Sequence, residues 1–135
     1  MSKLLERLRD PGRSGVYRAS GAQAIEEATR SSALDVVTID VGASVFDAMA
    51  RALEFPDWFG ANWDALEDCL SDLSWRRGEG HVLILQGHPA GDALGVLTDV
   101  LRAAAEYWAG RGKPFFAVFI DPERRLAVPD LYREA

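Results

Sequence analysis

The chain has 135 residues, 48% hydrophobic and 27% charged, the balance of a folded globular protein and not of a disordered one. No apolar run approaches the roughly 20 residues needed to cross a bilayer, and the lone Cys69 excludes an internal disulfide and offers no metal-ligand spacing. The net charge of −6 argues against direct binding of RNA or DNA and for attraction to a basic protein.

The opening run MSKLLERLRD has no apolar signal-peptide core, so a cytoplasmic protein is expected. It reads as a short helix over residues 3–9, stopped by Pro11 and Gly12. Residues 16–19 are expected to form a short edge strand, and Ser20 to cap a helix running to Arg30. The β-branched run LDVVTI, residues 34–39, predicts a buried strand. Residues 44–53 predict a helix with Val45, Met49, Ala52 and Leu53 on one side. A loop over residues 54–61 contains Pro56 and Gly60, and Asn62 is placed to cap a helix over residues 63–73.

HVLIL, residues 81–85, predicts a second buried strand. A long helix is expected from Pro89 or Ala90 to Ala109, closed by Gly110 and Gly112. PFFAVFI, residues 114–120, predicts a third strand. Strands alternating with helices imply parallel pairing through right-handed crossovers. The expected class is α/β: one domain over residues 1–135, with a small parallel sheet of three strands, or four if residues 16–19 join, flanked by helices. Its core is expected over residues 34–120, with an N-terminal extension over residues 1–33.

The charge is unevenly placed. Between Ala52 and Trp75 there is no Lys or Arg, but there are six acids: Glu54, Asp57, Asp64, Glu67, Asp68 and Asp72. Acids and bases balance in the rest of the chain, so the net charge comes from this stretch. On a helix at about 100° per residue, with Asp64 at zero, Asp68 falls near 40°, Asp72 near 80°, Ser71 near 340° and Glu67 near 300°. Leu66, Cys69, Leu70 and Leu73 fall on the opposite side. A solvated helix face is the plain explanation of such a pattern. Two energetic details oppose it. Asp64/Asp68 and Asp68/Asp72 are like-charge i, i+4 pairs, each costing about 0.2–0.5 kcal/mol. Asp72 also opposes the helix dipole. Beside the acids stand three large rings, Trp58, Phe59 and Trp63, and apolar anchors around desolvated charges are the anatomy of a binding hot spot.

The run LEFPDWFGANWDALEDCL, residues 53–70, closely resembles the signature of the barstar family: Leu-x-x-Pro, an acid, two aromatics, Gly, any residue, Asn, an apolar residue, Asp-Ala-Leu, any residue, Asp-Cys-Leu. The element order over residues 34–120 is also similar to that fold. The resemblance implies a proteinaceous inhibitor of a secreted-type, guanyl-specific microbial ribonuclease, binding as a monomer in a 1:1 complex. It implies that Asp68 occupies the nuclease's phosphate-binding centre, pairing with arginines and the catalytic histidine, with Asp64 beside it. Trp58 matches a ring that packs on that histidine, and Phe59, Gly60, Asn62, Trp63, Glu67, Ser71 and Asp72 match positions on the same contact surface. Departures from the prototype bear on which nuclease is bound. Trp58 and Phe59 replace tyrosines, Glu67 and Leu73 replace tryptophans, and Asp72 replaces a glycine. Glu106 is the nearest candidate for a glutamate the prototype uses in its last helix.

Two rival functions use the same residues. Paired carboxylates can do acid–base work or hold a metal, but Asp64, Asp68 and Asp72 form a convex ridge and not a pocket. His81, at a strand start, and His88, before Pro89, read as structural, and Cys69 as core. No catalytic residue, metal, cofactor or membrane contact is therefore expected. The second rival is an acidic interaction module on the same fold with a different basic partner, since a fold and a charged surface do not name a partner.

Overall fold

A computed structural model describes residues 3–42 and 44–133. Its elements are α1 (Lys3–Leu8), a 3-10 turn (Pro11–Arg13), β1 (Gly15–Ala19), α2 (Gln23–Thr29), β2 (Asp35–Asp40), α3 (Val45–Ala52), α4 (Trp63–Asp72), β3 (His81–Gln86), α5 (Asp92–Ala109) and β4 (Phe115–Ile120). The strands form one sheet in the order β1-β4-β3-β2, every neighbouring pair parallel. β3 and β4 take the centre because their runs are apolar without interruption, as strands covered on both faces require.

Alternation along those two strands divides the core. Leu83, Leu85, Phe115, Ala117 and Phe119 face α3, α4 and α5, and pack with Met49, Leu53, Leu66, Leu70, Leu97 and Leu101. Val82, Ile84, Phe116 and Val118 face the other way and meet Leu8 of α1 and Ile25 of α2. The N-terminal extension thus supplies β1 along β4 and two short helices over the second face of the sheet. Phe115, Phe116 and Phe119 are at most 1% exposed, and each buried ring contributes about 1.5–3 kcal/mol relative to an exposed one.

The C-terminal residues fold back along β1. Arg18 donates from Nε to Asp130 and from Nη1 to the Leu126 carbonyl, and its backbone pairs with Pro129 and Leu131. Asp121 accepts from the backbone N–H groups of Arg125 and Leu126, turning the chain out of β4.

Three expectations are corrected. β2 is one of the sheet's two edge strands, and only Ile39 in it is buried. β-Branched composition reports strand propensity and does not separate an edge strand from a central one. Ser20 does not cap α2. That helix starts at Gln23, with Ala22 at the cap position and no side-chain cap, because Ser20 to Ala22 make the bend out of β1. α5 begins at Asp92 and not at residue 89 or 90, because Gly91 at φ 62° sets the boundary.

Candidate functional site

Ser44 starts α3 by accepting the Asp47 N–H, and Leu53 ends it. The loop that follows rests on the aromatic ring of Phe55, which meets Phe59 edge-on at 4.8 Å. Phe46 of α3 holds Trp63 at 4.8 Å and Phe59 at 6.4 Å. The loop is therefore braced from below by rings, not by regular backbone pairing. The Phe59 N–H donates to the Pro56 carbonyl over 3.0 Å.

Asn62 opens α4. Its Oδ1 accepts the Ala65 N–H over 2.8 Å, so one of the orphan donors of the first turn is satisfied. A Cβ on Gly60 would stand 3.3 Å from Asn62 Nδ2, so this glycine leaves the cap its room. The far end of α4 is tied down as well. Trp108 of α5 donates its indole N–H to the Leu70 carbonyl over 2.8 Å, and the Leu73 N–H donates to the Cys69 carbonyl.

The helix divides as its angular pattern predicts. Leu66, Cys69 and Leu70 are fully buried, and Leu73 is 2% exposed. Asp64, Glu67, Asp68 and Asp72 are exposed, as are Asp57, Gly60 and Asn62 of the preceding loop, and Ser71 is half-buried. Among the described residues, no basic group lies within ion-pair distance of Asp57, Asp64, Glu67, Asp68 or Asp72. The sixth acid differs. Glu54 pairs with Arg76, which lies just beyond the acid-rich window.

The rings also separate. Trp58 is 61% exposed. Phe59 and Trp63 are half-buried against the core, so each stays partly open to solvent while bracing the loop. Glu106 is not joined to the ridge. It lines a groove with Tyr17 of β1 and Pro129, about 200° around α5 from Trp108, the residue that bonds α4.

Backbone strain marks the corners of this segment. Glu54, Ala61 and Leu73 adopt φ of 57°, 52° and 47°, directly after α3, before the α4 cap and after α4. The conformation costs a non-glycine residue about 1–2 kcal/mol; Glu54 and Leu73 adopt it where helices commonly end, with the Phe55 N–H donating to the Ala50 carbonyl and the Leu73 N–H to the Cys69 carbonyl.

Beneath the site lies a cluster that no local motif announces. Asp35 accepts Arg76 Nε over 2.7 Å and Nη2 over 2.9 Å, and lies 2.9 Å from His81 Nδ1. Burial pushes the Asp35 carboxyl up, but the hydrogen bonds from Arg76 and His81 and their charges outweigh it and hold the group below its ordinary value. The Asp35 hydrogen bond raises Arg76 further above its usual range. Burial lowers His81, against the opposing pull of Asp35. His81 is also packed edge-on by Trp108 and Phe115. Cys69 is pushed up by burial and then by Asp72 and Asp68, which describes a thiol that keeps its proton and not a nucleophile. Among the described residues, no three His, Cys, Asp or Glu side chains are grouped to hold a metal, and no helix is long and apolar enough to cross a membrane.

These features define a class: an α/β protein with a parallel sheet that presents a convex acidic helix, without ion pairs among the described residues, beside an exposed aromatic loop. The chain belongs to the barstar family; the family model described as Barstar (barnase inhibitor) matches residues 29–120. The match covers β2 to β4 and the acidic helix, and leaves β1 and most of α2 outside it. Members of this family are inhibitors and not enzymes. Searches of curated proteins and of solved structures gave no match.

Proposed function

We propose that this protein inhibits a secreted-type, guanyl-specific ribonuclease by laying α4 and the loop before it into the nuclease's cationic active site. The observation that carries the reading is the set of five exposed acids without an ion pair among the described residues, four of them on a helix whose reverse face is core and the fifth, Asp57, in the loop before it. Asp68, at the centre of the ridge, takes the place of a substrate phosphate in an arginine fork, a role for which a carboxylate is a fair mimic. Asp64 supports it one turn away. Trp58 packs on the catalytic histidine of the nuclease. Phe59, Gly60, Asn62, Trp63, Glu67, Ser71 and Asp72 complete the contact surface. The protein acts in the cytoplasm as a monomer and forms a 1:1 complex.

A surface of one sign facing a site built for phosphate steers its partner. The association rate is expected to fall by about 10-fold or more from low to high salt, within the range of about 10–10³ over which steering acts. Stopped-flow mixing with a small guanyl-specific ribonuclease across a salt series measures this. A flat association rate contradicts the reading.

A further inference from the structure

The segment that carries the ridge runs from Leu53 to Trp75, and its two ends are fastened to each other. Trp75 donates its indole N–H to the Leu53 carbonyl over 2.8 Å, a contact spanning 22 residues. The Trp75 ring stands edge-on to Phe55 at 6.0 Å. The next residue repeats the connection. Arg76 donates from Nη1 to Glu54 over 3.1 Å, and from Nε and Nη2 to both oxygens of Asp35. Asp35 is the first residue of β2, and its N–H donates to the Gly80 carbonyl just ahead of β3. Adjacent residues after α4 therefore grip both residues at the foot of the loop, and Arg76 anchors the joint to the sheet.

We propose that Trp75 and Arg76 are positioning residues, a staple that closes residues 54–74 into one preorganised unit and fixes Trp58 and the acidic ridge relative to each other. Its effect on affinity rests on the ribonuclease reading; its effect on the free protein does not. The physical need is plain. The loop has little regular backbone pairing of its own and holds Ala61 at φ 52°, a left-handed conformation that a non-glycine residue keeps only where its surroundings restrain it. A loop already held in its bound shape loses less entropy on binding, and the gain appears chiefly in the dissociation rate.

Trp75→Phe removes the indole donor and keeps a ring against Phe55. Glu54→Gln weakens the other strand of the staple at a side chain that is 78% exposed, where folding is not at risk. Hydrogen exchange of the free protein is read at the Phe55, Phe59 and Leu66 amides, with β3 and β4 amides as reference. Trp75→Phe is expected to speed exchange in the segment about 10-fold with the reference amides unchanged, and Glu54→Gln to do so more weakly. Dissociation from a guanyl-specific ribonuclease is expected to quicken by about 10-fold, with the salt dependence of association retained. Equal acceleration in segment and sheet overturns the proposal, because the residues then only stabilise the fold. Unchanged exchange in the segment overturns it too, as does faster exchange with an unchanged dissociation rate. Faster local exchange in a chain whose parent binds no ribonuclease upholds the staple while the functional reading falls.

Discussion

Asp68→Ala is expected to weaken ribonuclease inhibition by about 2–5 kcal/mol, or roughly 30-fold to several thousand-fold in Kd, while the free protein becomes no less stable. The magnitude is carried over from buried charge pairs of this kind, this family's among them, where the partner's cations stay buried and unpaired. Stability moves the other way for local reasons. Asp68 is exposed, has no ion pair among the described residues, and meets like charges one turn away on both sides. Its removal relieves two repulsions of about 0.2–0.5 kcal/mol and gains helix propensity of up to about 0.7 kcal/mol. Asp64→Ala is expected to follow the same pattern with a smaller loss of affinity. Thermal melts and inhibition titrations of the same variants check both halves. Opposite signs mark a residue placed for binding; a parallel loss of stability and affinity places Asp68 in the folding of the helix instead.

Asp35→Ala is expected to cost about 3 kcal/mol of stability, at the low end of what breaking a buried ion pair costs, because Arg76 keeps Glu54 as a second partner. The Asp35 and Arg76 side chains are 10% and 15% exposed, so the guanidinium left behind is poorly hydrated. The same cluster sets the acid response. His81 titrates below 6.5 in the folded chain, so the unfolded chain takes up its proton first and stability begins to fall below about pH 6.5. Asp35 titrates below 3.8 when folded; its contribution is whole above 3.8 and is lost as pH falls through the lower folded value. Both effects have one sign: acid destabilises. Denaturant titrations across pH are expected to show this slope, and His81→Gln to flatten its upper part while leaving the carboxylate part. A parent chain equally stable at about pH 7.5 and about pH 5 contradicts the assignment.

The contrast between these two sites explains what the sequence disclosed. The acidic ridge is local. Asp64, Asp68 and Asp72 stand at i, i+4 spacing, Asn62 sits directly before the first turn, and Leu66, Cys69, Leu70 and Leu73 fill the other side, so one helical wheel placed every side chain. The central strands were legible for the same reason, as unbroken apolar runs. The cluster beneath the ridge is not local. Asp35 meets Arg76 across 41 residues and His81 across 46, and only the β2·β3 pairing brings them together. No spacing rule connects such positions, so His81 read as structural without its partners and Arg76 fell outside the acidic window. β2 misled for a related reason: Val36 and Val37 suit a strand anywhere in a sheet, and its edge position depends on the whole topology. Glu54 lies in the acidic window, but its cation, Arg76, comes from beyond the helix.

The central claim is that the α4 ridge closes a ribonuclease active site. Its most direct test is a titration of RNA cleavage by a small guanyl-specific ribonuclease at fixed enzyme concentration and low salt, with increasing amounts of this protein. Cleavage is expected to fall to zero at one equivalent, and to persist at one equivalent of the Asp68→Ala variant. Cleavage that continues unchanged in excess parent protein contradicts the account and leaves the acidic ridge to a different basic partner.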